Sequence, residues 1–278
     1  MNPASAFPET AYAKLNLALH VRRRRADGYH ELETLFAFVD AGDELTAEPA
    51  DAFSLTITGP FADGLSNGDD NLVLSAARML ADRNGIRGGA AFTLDKRLPI
   101  AAGIGGGSAD AAAALRLLAR MWRLGSDHVR PSDIAADLGA DVPACVASQT
   151  VHGEGVGEKL TPIDGSALAG LPVLLVNPRV ACPTGPVFAA WDGIDRGALD
   201  VANWADARND LEMPAVALHP QIADVLAALQ ATGPRLARMS GSGATCFALF
   251  ETSTARDAAA RSIATRRPGW WTLAGALR

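Results

Sequence analysis

Four glycines fall within the eleven residues Pro99 to Ala109, PIAAGIGGGSA, immediately before an alanine- and leucine-rich stretch long enough for a helix. A segment so poor in side chains reaches backbone conformations closed to other residues and admits a ligand or a second backbone at close range. The first amides of the helix it feeds have no internal partners and carry the positive end of the peptide dipoles. Loop and helix start together therefore suit an anion, phosphate above all; a close-packed or flexible turn is the other reading. Spacing argues against two familiar phosphate motifs. A P-loop places lysine directly after its glycines, whereas Ser108 follows Gly107 here. A dinucleotide fingerprint opens a βαβ unit and meets an acidic residue about 20 residues later, where this chain runs on as one helix to Arg123.

The chain has 278 residues, enough to bury a substantial core and to divide it in two. Charged residues at 20% and apolar residues at 49% fit a globular protein. A net charge of −6 without a broad basic stripe argues against nucleic acid as a partner. The segment MNPASAFPETAYAKLNL lacks the basic-then-apolar pattern of a secretory leader, and no apolar run reaches membrane-spanning length. A cytoplasmic location with no membrane partner is expected. Cys145, Cys182 and Cys246 are odd in number and far apart, as for free thiols in a reducing compartment. Arg22 to Arg25 reads as the solvated end of a hairpin, or as a local anion site built from forked donors.

Residues 11–21 alternate as a strand, with Leu15, Leu17, Leu19 and Val21 on one face and Lys14, Asn16 and His20 on the other. Further strands are predicted at 31–38, 53–58, 91–95, 172–177, 246–250 and 270–273, with a bent or tightly turning strand over 151–163. Helices are predicted from Asn71 to about Arg83 with Gly85 as the stop, from Ser108 to Leu124, from Pro131 to Gly139, at 220–229 and at 254–266. A second glycine-rich turn, Ser240-Gly241-Ser242-Gly243-Ala244, precedes the strand at 246–250. The two turns either bracket one ligand or are separate crossings of close backbones.

Phosphoryl transfer to a hydroxyl needs a cation at the moving group and a base at the acceptor. Lys14, fixed on a strand, is the best cation. Asp141, at a helix start before Val142-Pro143, is the best base, with a plain N-cap as the alternative. Asp110 is either a first-turn anion able to assist magnesium or a capping aid.

Three segments in order, AYAKLNLAL at 11–19, PIAAGIGGGSADAAA at 99–113 and MSGSGATCFALF at 239–250, resemble the galactokinase, homoserine kinase, mevalonate kinase and phosphomevalonate kinase superfamily. Four more, RADGYHELETLF at 25–36, DNLVLSAARML at 70–80, LGADVPACV at 138–146 and HGEGVGEKLTPI at 152–163, resemble one branch of it. The resemblance covers nearly the whole chain.

It implies an α+β, two-domain small-molecule kinase fold with the active site in the interdomain cleft. The expected domains are an ATP-binding and catalytic one at 1–160 and a ferredoxin-like one at 161–278. The implied reaction moves the γ-phosphoryl group of ATP, with Mg²⁺, to the 2-hydroxyl of an acceptor carrying cytidine diphosphate, in bacterial non-mevalonate isoprenoid supply. Lys14 and Asp141 match the catalytic pair, and Pro99, Gly103, Gly105, Gly106, Gly107 and Ser108 the loop around the ATP phosphates. Asn16, Tyr29, His30, Thr184 and Phe188 match residues around the acceptor, with Tyr29, His30 and Phe188 at the cytidine; Gly241 and Gly243 shape the floor. The metal ligands are not assigned. The partner implied is the small cytidylyl substrate, with the chain a monomer or weak homodimer. Another kinase of the superfamily, acting on mevalonate, homoserine or a sugar, is the alternative, and a non-catalytic nucleotide-binding protein a more distant one.

Overall fold

The computed structural model of the protein describes residues 7–278. Residues 1–6, part of the segment read for a secretory leader, lie outside the described residues. In chain order the strands are β1 (Phe7–Arg24), β2 (His30–Ala50), β3 (Ser54–Thr58), β4 (Gly89–Asp95), β5 (Val151–Gly155), β6 (Lys159–Pro162), β7 (Pro172–Asn177), β8 (Leu236–Met239), β9 (Cys246–Leu249) and β10 (Trp271–Ala276). The helices are α1 (Leu72–Asn84), α2 (Gly106–Met121), α3 (Pro131–Leu138), α4 (Val142–Ala147), α5 (Thr184–Ala189), α6 (Glu212–Leu218), α7 (Gln221–Gln230) and α8 (Ser253–Arg266). None is long and apolar enough to cross a membrane. Mixed helices and sheets in two compact units make the fold α+β, as expected.

The chain enters each unit more than once. Residues 7–13, Gly42–Ile100 and Gly106–Ala147 form the first unit, and Lys14–Ala41, Ala101–Gly105 and Ser148–Arg278 the second.

In the first unit the C-terminal part of β2 pairs antiparallel with β4, from Glu44↔Asp95 to Ala50↔Gly89, and β4 pairs parallel with β3. Helix α1 starts where the Asn71 side chain accepts from the Val73 amide and stops at Gly85 in the left-handed region, φ 62°, the two devices read from the sequence. Its apolar stripe packs on α2. Helix α2 is alanine-rich because it is enclosed: Ala109 and Ala111 to Ala114 are all buried, and α1, α3 and α4 lie against it. Small residues let the helices approach closely.

In the second unit the first part of β2 pairs with β5, and β5 with β6. The bent strand expected over 151–163 is thus a hairpin, turning at Gly155 and Gly157, where φ is 74° and 111°. A separate four-stranded antiparallel sheet has the order β10-β7-β9-β8. Strands β9 and β10, joined by α8, flank β7, which is the ferredoxin-like βαββαβ order. Helices α7 and α8 cover this sheet. Its core gathers Leu174 and Val176 of β7, Cys246 and Ala248 of β9, Ile222, Val225 and Leu229 of α7, and Leu19 and Val21 of β1. All three cysteines are free and buried; burial raises the Cys182 and Cys246 thiols above the usual range.

Candidate active site

The face of β1 that alternation leaves polar is covered. Lys14, Asn16 and His20 are each 3% exposed, so each polar atom there needs a protein partner or a ligand. The Lys14 ammonium donates to Asn16 Oδ1 at 3.1 Å. Asn16 Nδ2 donates to Thr34 Oγ1 at 2.8 Å, and the Thr34 hydroxyl donates in turn to the Ala18 carbonyl at 2.7 Å. This run fixes both the amide orientation of Asn16 and the position of the lysine head, which also lies 4.8 Å from the centroid of the Phe36 ring. His20 holds the Gly197 carbonyl through Nδ1 at 3.1 Å. Burial, then Arg208, lowers its proton affinity, leaving the ring neutral near pH 7.

The part of the glycine loop that belongs to the same unit, Ala101–Gly105, is laced to β1 and to the second glycine turn. The Lys14 amide donates to the Ile104 carbonyl at 3.1 Å, the Thr245 amide to the Ala102 carbonyl at 3.1 Å, and Ser240 Oγ to the Gly103 carbonyl at 3.0 Å. Ser240 Oγ in turn accepts the Asn16 amide at 3.1 Å. A Cβ on Gly103 would lie 2.5 Å from the Ser240 carbonyl oxygen and 2.6 Å from that of Gly243; one on Gly241 would lie 2.8 Å from the Gly103 carbonyl oxygen. The two turns interlock backbone to backbone, and both have φ above +50° at these glycines. Close crossing of backbones leaves no room for a Cβ at Gly103 or Gly241, while at Gly243 the Met239 side chain stands 2.9 Å from where a Cβ would lie; the network carries their positions to Asn16 and Lys14.

A second cluster forms around His30, at the start of β2. Its ring centroid lies 5.0 Å from that of Phe188 in a tilted arrangement and 5.7 Å from that of Trp191, edge to face. Burial, then the nearby Arg24 charge, lowers the His30 proton affinity, so the ring is neutral near pH 7, able to donate from one nitrogen and accept at the other. Tyr29, next in the chain, is 63% exposed. Thr184 Oγ1 sits 3.0 Å from Ser242 Oγ, which links the start of α5 to the interlocked turns. Trp191 was not singled out from the sequence; its spacing of three from Phe188 was the available signal. The arginine run is largely matched by neighbouring carboxylates. Arg22 pairs with Glu33 and Asp195, Arg23 with Glu31, and Arg25 with Asp27, while the Arg25 amide donates to the Tyr29 carbonyl at 2.7 Å. These are the contacts of a solvated hairpin end.

The rest of the loop belongs to the first unit. Pro99 is buried. Gly106, Gly107 and Ser108 form the first turn of α2, and among the described residues none of their N–H groups has an acceptor. Helix α2 is 16 residues long, so its dipole adds to these free donors. Asp141 directly precedes α4, half-buried, and its carbonyl accepts the Cys145 amide at 3.1 Å. Arg116 of α2 donates to the Cys145 carbonyl at 2.6 Å, which fixes α4 on α2.

One oxygen of Asp110 is engaged by a lysine and the other is buried without a partner among the described residues. Its Oδ2 accepts the Lys96 ammonium at 2.5 Å, and the same ammonium donates to Asp43 Oδ2 at 2.6 Å. All three side chains are buried. Burial pushes the Asp110 carboxyl up from 3.8 to about 7 against the opposing pull of Lys96. Lys96 itself is held above its ordinary value because the two carboxylates outweigh its burial. Neither Lys96 nor Asp43 was singled out from the sequence.

The fold is that of a small-molecule kinase of the GHMP class. The model of the GHMP kinase N-terminal domain matches residues 71–149 and that of the GHMP kinase C-terminal region matches 194–268. Within that class, the chain belongs to the 4-diphosphocytidyl-2-C-methyl-D-erythritol kinase family. The kinase of that name from Rhizorhabdus wittichii is 58% identical over 283 residues, covering 99% of this chain and 96% of its own. That from Sphingopyxis alaskensis is 56% identical over 282 residues, covering 99% and 100%. A crystal structure of 4-(cytidine 5'-diphospho)-2C-methyl-D-erythritol kinase superposes with a TM-score of 0.83 at 35% identity, over 97% of this chain and 98% of that one. The homoserine kinase of Cytophaga hutchinsonii, at 16% identity and a TM-score of 0.72 over 100% and 96% of the two chains, shares the fold.

Proposed function

We propose that the protein transfers the γ-phosphoryl group of ATP to the 2-hydroxyl of 4-diphosphocytidyl-2-C-methyl-D-erythritol, giving the 2-phosphate and ADP. The observation that carries this reading is identity of 58% with a kinase of that name over 99% of the chain.

The free amides of Gly106, Gly107 and Ser108 bind the ATP phosphates, with Pro99, Gly103 and Gly105 setting the path of the loop. The acceptor hydroxyl oxygen forms a bond to the γ-phosphorus as the bond to the bridging oxygen of ADP breaks. ADP leaves with that electron pair, and the hydroxyl proton passes to Asp141. Lys14 offsets negative charge on the group in transit, its head positioned by Asn16. No covalent enzyme intermediate is needed, so positioning and electrostatics supply the rate. His30, with neutral ring nitrogens, and Phe188 hold the cytosine, and Tyr29 closes over it from the hairpin. Thr184 lies beside the acceptor, and the interlocked Gly241 and Gly243 shape the floor.

Magnesium belongs on the ATP phosphates, where it neutralises charge. No residue is assigned to hold it: one oxygen of Asp110 is taken by Lys96 and the other is buried without a partner among the described residues. In this assignment residues 1–160 supply the ATP-binding and catalytic groups and 161–278 the ferredoxin-like part. The protein acts in the cytoplasm as a monomer or weak homodimer, with small molecules and not nucleic acid or membrane as its partners.

Purified protein with ATP and magnesium is tested for ADP release against the cytidylyl substrate, mevalonate, homoserine and galactose. Release with the cytidylyl substrate alone is expected. Release with an acceptor lacking cytidine moves the assignment to another kinase, and release with none removes the activity.

A further inference from the structure

The glycine loop has a buried ion cluster at its base that the proposed chemistry does not use. Lys96 follows the end of β4, Asp43 lies in β2, and Asp110 is on the second turn of α2. Asp43 does two jobs. Its Oδ1 accepts the backbone amides of Arg97 at 2.6 Å and Leu98 at 2.7 Å, while its Oδ2 accepts the Lys96 ammonium. The residues that lead into the loop are thereby pinned to β2. The same ammonium reaches across to Asp110, on the helix that leaves the loop. Residues 96 and 110 are fourteen apart in sequence, and one side chain closes that span.

The ammonium passes beneath the helix start. A Cβ on Gly106 would lie 3.2 Å from Lys96 Nζ, so any side chain there would press on the lysine head. Gly106 is glycine for this reason as well as for access to its amide. The backbone of Lys96 is also fixed, its amide donating to the Thr58 carbonyl at 2.7 Å and its carbonyl accepting the Phe61 amide at 3.1 Å. With 3% of its side chain exposed and two carboxylates on it, Lys96 is engaged inside the protein and not extended toward a ligand.

A loop that binds phosphate through amides works only if those amides are aimed before the ligand arrives, because ordering them at binding would cost affinity. We propose that Lys96, held between Asp43 and Asp110, is a positioning residue that buckles the entry of the glycine loop to its exit and so sets the affinity for the ATP phosphates without touching them. This rests on the reading that the loop binds ATP. Removing the lysine alone would strand two buried carboxylates and endanger folding, so the informative variant is Lys96→Met combined with Asp110→Asn, which leaves Asp43 on its two amides.

The test measures Mg·ADP binding by calorimetry and steady-state kinetics in both substrates, beginning with the wild-type protein. The double variant is expected to melt cooperatively and to show KM for ATP and Kd for ADP raised about tenfold or more, with kcat and KM for the cytidylyl acceptor within about twofold. Unchanged nucleotide affinity would overturn the proposal, and so would a fall in kcat at unchanged affinity, which would put Lys96 in the chemistry. If the double variant does not fold, Asp110→Ala carries the test, because it cuts only the exit tie. Its nucleotide affinity should fall about threefold to tenfold, and Asp110→Asn, which keeps an oxygen facing Lys96, should restore most of it. Equal affinity in wild type, Asp110→Ala and Asp110→Asn overturns the buckle. Wild-type protein that binds no ADP overturns instead the reading on which the buckle rests.

Discussion

Replacing Asp110 with asparagine should change how stability depends on pH. The carboxyl has one ammonium on Oδ2, while Oδ1 is buried without a partner. Burial raises its value from 3.8 to about 7, with Lys96 opposing and Asp43 adding to the rise. Between those two values the folded protein holds a proton that the unfolded chain has released. Stability from this group is therefore fully present below about pH 4 and is lost as pH rises to about 7, after which it is flat. The interval is about three pH units at about 1.4 kcal/mol each, a ceiling of about 4 kcal/mol. Asparagine has no proton to lose, and every other titrating group is common to both proteins. Urea unfolding of wild type and Asp110→Asn in steps from pH 5 to pH 8.5 isolates the difference. The variant should gain on the wild type by about 2 kcal/mol or more across that range, most of it below about pH 7. Parallel stability curves would mean instead that the buried Asp110 carboxyl does not change its protonation there.

Three substitutions probe the rest of the site. Asp141→Asn should lower kcat by about a hundredfold to ten-thousandfold with KM for ATP within about threefold, checked by steady-state ADP release. Phe188→Ala removes the ring 5.0 Å from that of His30 and should raise KM for the cytidylyl acceptor by about tenfold, in line with the worth of one base stacked on an aromatic ring, with KM for ATP unmoved. Gly103→Ala sets a methyl 2.5 Å from the Ser240 carbonyl oxygen and should cost about 1–3 kcal/mol or more of stability in chemical denaturation, with glycine at that position restoring it.

The features that sequence made legible are those written in local spacing. Asn71 and Gly85 bound α1 because capping and left-handed turns depend on one residue each. The alternation of Lys14 and Asn16 placed them on one face of β1, although it left that face half open, whereas Thr34, Phe36 and Ser240 cover it from positions far along the chain. Strand β2 runs on to Ala50, with Leu45 and Ala47 alternating inward between Glu44, Thr46 and Glu48, and pairing with β4 holds it. That the two glycine turns touch is a matter of contact between distant segments, seen in the carbonyls that crowd Gly103 and Gly241 and written in no local spacing. The Asp43–Lys96–Asp110 cluster is scattered along the chain, so Asp43 and Lys96 read as ordinary charged residues and Asp110 is marked only by its place after the glycine loop. Trp191 stands three residues from Phe188 in sequence, but its place beside the His30 ring is set by the fold.

The oxygen that receives the phosphoryl group is read in a single incubation. Wild-type protein, ATP and magnesium are mixed with 4-diphosphocytidyl-2-C-methyl-D-erythritol and followed by ³¹P NMR. One phosphomonoester signal, coupled to the carbon that bears the 2-oxygen and growing in step with ADP, is the result predicted. Accumulation of ADP without that signal, or a phosphate on any other oxygen of the acceptor, would contradict it.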